Sequence, residues 1–244
     1  MTQMNGTAVV FDFDGTLTPK SYISLFRVIE QNAGFSQEIL AKADAMRSRY
    51  LPKATSGSLT PDEEIAWFDE TIGLYSEARL TREKITESLA TVRLRDGVKD
   101  CLRFLKRKNI PVAIISFGIS NFILAVLIHN QADHLVDAIY STNLKFDKGF
   151  VSGYDAKSVV LPSTKGFCSQ AFANLFAVPD KNVFGIGDSA IDAKLSQFKE
   201  NLLGIARDEK DREKLSQYME TVVITEAFYP VQEWLSEKIN AATK

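Results

Sequence analysis

Thr7-Ala8-Val9-Val10-Phe11-Asp12-Phe13-Asp14-Gly15-Thr16 is the stretch that decides the fold. An apolar run rich in β-branched and aromatic residues stops at two carboxylates and a glycine, which predicts a buried strand running into a tight turn. Asp12 and Asp14 stand two residues apart, so strand alternation aims them to one side if the pleat persists. Burying even one unpaired carboxylate is costly. Two like charges at about 4 Å repel by roughly 4 kcal/mol at an effective dielectric of 20, so a cation or a shared proton belongs beside this pair. Gly15 lets the backbone turn closely around a ligand.

Downstream of this strand the apolar spacing becomes helical. Four amphipathic helices are predicted, near 21–33, 36–50, 60–73 and 81–92, with no convincing strand between them. The third opens on Thr60-Pro61-Asp62-Glu63, an N-cap followed by a Pro at the first helical position and a capping-box Glu. From Asp96 the pattern changes to helix (97–108), strand (111–116), helix (119–130) and strand (137–142). A hairpin through 144–154 turns at Asp147-Lys148-Gly149. A helix at 164–177, a strand at 182–187, a helix at 189–198, a strand at 202–206 and a closing helix at 230–242 complete the reading. Helix and strand in alternation imply right-handed crossovers and an α/β fold with a doubly wound, mostly parallel sheet. The expected division is an α/β core of residues 1–17 and 93–244, carrying a small α-helical cap at 18–92.

Composition sets the outer bounds. The chain has 244 residues, 45% hydrophobic and 25% charged, which suits a globular protein large enough to bury a core without disulfides or structural metal. Its 29 Lys+Arg against 31 Asp+Glu give a net charge of -2, so no broad positive field gathers nucleic acid polymers or anionic lipid. Cys101 and Cys168 lie far apart and outside any C-x-x-C pair, the pattern of reduced packing residues. With no leader-like start and no apolar run of spanning length, the expectation is a cytoplasmic protein that does not associate with a membrane. His129 and His134 are five apart, off the spacing that puts two metal ligands on one helix face.

Polar residues cluster where strands end, which is where ligands bind in open α/β sheets. Gly187-Asp188-Ser189-Ala190-Ile191-Asp192 follows a buried strand and places Asp188 beside the first pair. Three carboxylates with room for waters form a hard-oxygen site suited to Mg2+. Ser116 ends the strand at 111–116, and the backbone N–H groups of Phe117 and Gly118 join its hydroxyl as candidate phosphate donors. Lys165 supplies a compact positive charge at a helix start, with Lys157 as the alternative.

Together these residues resemble the haloacid dehalogenase (HAD) superfamily of phosphohydrolases. Asp12-Phe13-Asp14-Gly15-Thr16 is similar to its first motif, Ser116 to its second, Lys165 to its third and Gly187 through Asp192 to its fourth, in the expected order. The helical insert resembles the C1-type cap. The nearest branches are the phosphoserine-phosphatase-like proteins and the pyrimidine 5′-nucleotidases. The resemblance implies a Rossmann-like core and a Mg2+-dependent phosphatase acting on a small phosphorylated metabolite through an aspartyl-phosphate. It makes Asp12 the nucleophile, Asp14 the acid and base, and Ser116, Phe117, Gly118 and Lys165 the phosphate-binding groups. Asp12, the Asp14 carbonyl and Asp188 become the metal ligands, with Asp192 orienting Lys165 or a water behind them.

An acid at position 14 favours ester hydrolysis over dehalogenation, because halide leaves without a proton. Phosphomutase-type transfer and a non-catalytic phosphate- or partner-binding module on the same fold remain the alternatives. Phosphoserine phosphatases usually carry a Glu where this chain has Ser21, which ranks phosphoserine below other small monoesters. Tyr22, Arg47, Arg49, Tyr50 and Trp67 are the cap residues in reach of a leaving group. The sequence leaves the oligomeric state open.

Overall fold

A computed structural model of the chain describes residues 6–20, 24–56 and 58–242. Strand β1 (Ala8–Phe11) is fully buried. Its alternate residues enter two different apolar layers, Val9 and Phe11 in one and Ala8 and Val10 in the other. A strand sealed on both faces is what a continuous apolar run produces in a parallel sheet. Helices α1 (Leu25–Asn32), α2 (Gln37–Ser56), α3 (Pro61–Glu77) and α4 (Arg82–Ser88) follow. Thr60 and Glu63 form the expected capping box at the start of α3.

The core continues with α5 (Val98–Arg107), β2 (Val112–Ile119), α6 (Ser120–His129) and β3 (Ala138–Thr142). After the hairpin β4 (Leu144–Asp147) and β5 (Phe150–Tyr154) come α7 (Lys165–Leu175), β6 (Val183–Gly187) and β7 (Leu202–Ala206). Helix α8 (Glu209–Leu215), β8 (Thr221–Ile224) and α9 (Tyr229–Ala242) close the chain. Among the described residues the main sheet has six strands in the order β3-β2-β1-β6-β7-β8, all paired in parallel. The chain winds outward from β1 through β2 and β3, then returns to β6 and winds the other way. The reversal falls between β1 and β6, and a ligand crevice is expected at the strand ends there.

Two local readings change and two are added to. The 189–198 segment is a 3-10 turn, Ala190–Leu195, rather than an α-helix. Asp192 Oδ2 accepts from Asp188 N–H, Ser189 N–H and the Ser189 hydroxyl, which winds the chain tightly at that point. Strand β2 runs past Ser116 to Ile119, because pairing with β3 resumes at Ile119–Thr142 after a register shift. Helix α8 and β8 fill a stretch the sequence reading left unassigned; α8 is short, charged and capped by Asp208. The hairpin packs onto the helical insert: Val151 N–H donates to the Leu80 carbonyl at 2.8 Å, and the Phe68 and Tyr154 rings meet edge to face.

Arg95 locks the insert's return to the core. Its guanidinium, almost wholly buried, donates to the carbonyls of Gly15 at 2.7 Å, Thr18 at 3.2 Å, Thr225 at 2.9 Å and Glu226 at 3.3 Å. Removing a buried donor leaves several carbonyls unmatched, each at a cost of about 1–3 kcal/mol before relaxation. Arg95→Met is therefore expected to lose roughly 3 kcal/mol of folding stability, read from the urea midpoint at unchanged m-value; a loss below about 0.5 kcal/mol, the scale of an ordinary surface change, would contradict this role.

Candidate active site

Asp12 sits one residue beyond β1, its N–H still donating to the Ile186 carbonyl of β6 at 2.9 Å. The backbone then coils: Leu17 and Thr18 N–H groups return to the Phe13 carbonyl, and Gly15 takes φ +78°. A Cβ at Gly15 would come within 2.3 Å of Asp188 Oδ2, so a glycine there admits the Asp188 carboxylate. Gly187 has the same function for Asp192, whose Cβ would lie 2.1 Å from an added methyl. These two glycines let the ends of β1 and β6 carry their acids into one small volume.

The centre of that volume is the Lys165 ammonium, at the first residue of α7. Its Nζ is 2.6 Å from Asp12 Oδ1 and 2.6 Å from Asp192 Oδ1. All three side chains are buried. Burial alone would lower the lysine pKa, but the two carboxylates outweigh it and hold the ammonium above the usual lysine range. Burial pushes the Asp12 carboxyl up, with Lys165 pulling against it. Asp188 is pushed up to about 7, first by burial and then by repulsion from Asp192, while Lys20 opposes the rise. Asp14 is pushed up to about 6 by burial, against a hydrogen bond from Leu25 N–H. A carboxyl raised in this way holds a proton closer to neutral pH, as a general acid must.

Asp12, Asp188 and Asp192 each offer an oxygen within 4.8 Å of the others. Asp192 is already committed, with Oδ1 on Lys165 and Oδ2 on three donors of the turn. Among the described residues, Asp12 Oδ2 is met only by the Thr16 hydroxyl at a long 3.5 Å, and Asp188 Oδ1 has no hydrogen-bond partner. The oxygens of Asp12 and Asp188 are thus the ones left to ligate. An all-carboxylate set with crowded, raised pKa values fits a hard divalent cation such as Mg2+.

A cavity of about 590 Å³ opens above this floor, lined by Asp12, Asp14, Ser116, Lys165 and Asp188 at its base. Gly118 N–H donates to the Ser116 hydroxyl at 3.1 Å, so that amide is engaged locally at the end of β2. Phe117 contributes its ring to the wall, 6.3 Å from Trp67 and 6.0 Å from Phe68. Lys157 lies exposed in the turn Ala156–Ser158, so the buried ammonium is Lys165.

Of the cap residues, Trp67 and Arg47 line the cavity. Tyr50 backs Trp67 in a stacked pair at 5.7 Å. Arg49 turns outward to Glu70, at 3.0 and 3.1 Å. Tyr22 and Ser21 lie outside the described residues. Sequence reasoning missed Glu30, a buried carboxylate of the cavity wall that pairs with Arg47 and, at 3.3 Å, with Arg27. It also missed Lys20 and Arg95. None of the three stands in a motif; Lys20 and Arg95 make their side-chain contacts with residues distant in the sequence, and Glu30, beside its i,i+3 pair with Arg27, meets Arg47 of another helix.

Comparison with known proteins agrees with this geometry. Residues 10–226 match the family model described as pyrimidine 5′-nucleotidase (UMPH-1). A 2-hydroxy-3-keto-5-methylthiopentenyl-1-phosphate phosphatase from Geobacillus thermodenitrificans is 27% identical over 209 residues, covering 81% of each chain. The crystal structure of a cytosolic 5′-nucleotidase IIIB bound to cytidine superposes with a TM-score of 0.78 at 19% identity, over 98% of this chain and 87% of that one. A phosphoserine phosphatase solved as a phospho-aspartyl intermediate analogue gives a TM-score of 0.69 at 16% identity, over 94% of this chain and 98% of its own. The chain belongs to the pyrimidine 5′-nucleotidase (UMPH-1) family of HAD-type phosphatases, and it is a phosphoric monoester hydrolase.

Proposed function

We propose that the protein is a Mg2+-dependent phosphatase that hydrolyses a small phosphorylated metabolite through an aspartyl-phosphate on Asp12. The observation that carries this reading is the meeting of Asp12 and Asp188, at the ends of adjacent strands, with Lys165 at the start of α7 and Asp14 beside them, on the floor of one cavity. Asp12 attacks phosphorus, and the leaving oxygen takes a proton from Asp14. Asp14 then removes a proton from the water that hydrolyses the acyl phosphate, so one difficult displacement becomes two easier ones. Lys165 and Ser116 hold the phosphoryl oxygens, where transition-state charge is greatest. Asp12, the Asp14 carbonyl and Asp188 hold the metal, and bound Mg2+ supplies further neutralisation of phosphoryl charge. Asp192 holds Lys165 in place.

The insert at 18–92 acts as a cap over a core of 1–17 and 93–244. Its helices supply Trp67, Phe68 and Met46 to an apolar wall that excludes bulk water from the first half-reaction. Family membership and the cytidine-bound neighbour put nucleoside monophosphates first among substrates to test. Two cysteines that stay unpaired, Cys101 and Cys168, support a cytoplasmic location.

Two outcomes test the chemistry. Asp12→Asn is expected to abolish phosphate release from p-nitrophenyl phosphate, and EDTA to suppress it in the wild type until excess Mg2+ is restored; turnover at the wild-type rate in the variant would overturn the covalent route. Asp14→Asn is expected to slow single-turnover cleavage of an alkyl phosphate by about 10²- to 10⁴-fold. Its effect on p-nitrophenyl phosphate in the same step is expected to be clearly smaller, because p-nitrophenolate leaves without a proton. Equal losses on both substrates would remove Asp14 from the acid role.

A further inference from the structure

Lys20 reaches back from the segment after the first motif to the end of β6. Its Nζ donates to the main-chain carbonyl of Asp188 at 2.8 Å and to Asp211 Oδ2 at 2.7 Å. It also stands 3.3 Å from Asp188 Oδ2. The side chain is only 11% exposed, and its Cγ lies 3.3 Å from where a Gly15 Cβ would stand, so the stem is laid over the turn that follows Asp14. Asp211 is itself fixed in the first turn of α8: its Oδ2 accepts from Arg207 N–H at 3.2 Å, and its own N–H donates to Asp208 Oδ1 at 2.8 Å. One ammonium therefore ties together the segment after β1, the turn after β6 and the helix after β7.

We propose that Lys20 is a positioning residue for the metal site, pinning the backbone and one carboxylate oxygen of Asp188 against α8 so that the other oxygen faces Asp12. The proposal rests on the reading of Asp188 as a metal ligand. Asp188 is crowded by Asp192 on one side, and like-charge repulsion would turn it outward without a restraint. Asp192 restrains the turn through backbone amides; Lys20 restrains Asp188 through its carbonyl and carboxylate. An ammonium so close to a cation site also repels the cation, so the two effects of removing it have opposite signs. With Lys20 nearly buried and held by Asp211, positioning outweighs repulsion. Groups that orient a metal's ligands from behind are typically worth about 10–100-fold in metal affinity or activity.

The test compares wild type, Lys20→Met and Asp211→Asn by two readouts: direct calorimetric titration with Mg2+ in the absence of substrate, and the Mg2+ concentration for half-maximal hydrolysis of p-nitrophenyl phosphate. Asp211→Asn keeps the Lys20 charge and removes the carboxylate charge that anchors it, so it carries the test if Lys20→Met fails to fold. Both variants are expected to weaken Mg2+ binding by about 10-fold, with the loss falling on the metal constant more than on kcat at saturating Mg2+. The double variant is expected to be no worse than Lys20→Met alone. Unchanged or tighter Mg2+ binding in the variants would overturn the positioning role while leaving the metal reading intact. No Mg2+ binding by the wild type would overturn the metal reading and this proposal with it.

Discussion

The Lys165 ammonium, held 2.6 Å from both Asp12 and Asp192, is the constraint from which the arrangement of the site follows. Three carboxylates gathered in a largely buried volume repel one another, and burial removes the water that would screen them. A buried ion pair adds little net stability, because desolvation offsets much of the attraction. Its consequence here is positional. With one Asp12 oxygen fixed by Lys165, the other is directed into the cavity. Asp192, bound to Lys165 through one oxygen, uses the second to close the turn that presents Asp188. The orientation of Asp12, and of the turn that carries Asp188, thus traces to one cation on α7.

That cation works only because the sheet reverses direction where it does. Strands β1 and β6 are neighbours in parallel register, Phe11 beside Ile186, so Asp12 and Asp188 leave adjacent strand ends within one register position of each other. Arg95 and Lys20 hold the segment that follows β1 by different means. Arg95 satisfies carbonyls of that segment and of the Thr225–Glu226 loop. Lys20 spans to β6 and α8. The segment is irregular, and side chains supply hydrogen bonds that neither helix nor strand provides there.

These distinctions explain what the sequence made legible. The β1 run, the acids after it and the Gly187–Asp192 cluster are local patterns, in which residue type and spacing carry the geometry within a few positions. The parallel core was readable for the same reason, since each helix and strand announces its own period. Arg95 and Lys20 were not readable, because their partners lie up to 131 and 191 positions away and no spacing rule links them. Glu30 reads as one more polar residue of an amphipathic helix until α2 brings Arg47 against it. Helix α8 and β8 escaped because each is short: a charged seven-residue helix with a single buried Leu215 and a half-buried edge strand have almost no periodicity to detect. The hairpin was visible as a hairpin, but its packing on α3 is tertiary and leaves no local trace.

The cavity divides its polar groups between two ends. At the base, Asp12, Asp14 and Asp188 outnumber Lys165, an excess of acid that a divalent cation would offset. At the far end the cavity is lined by Glu30, Arg27 and Arg47, and the exposed Asp44 pairs with both arginines from outside the lining; two acids meet two bases, and the net charge of the cluster is already zero. Between them the wall is aromatic and aliphatic: Phe26, Met46, Trp67, Phe68 and Phe117. A leaving group bearing a further full charge would gain no unmatched countercharge at the far end and would lose hydration crossing the apolar wall. A neutral leaving group with an apolar face and hydrogen-bonding edges loses much less. On the proposed reading, the floor attracts any phosphate monoester, and discrimination falls to the cap, through the shape of its wall and the hydrogen-bonding groups of a charge-neutral cluster.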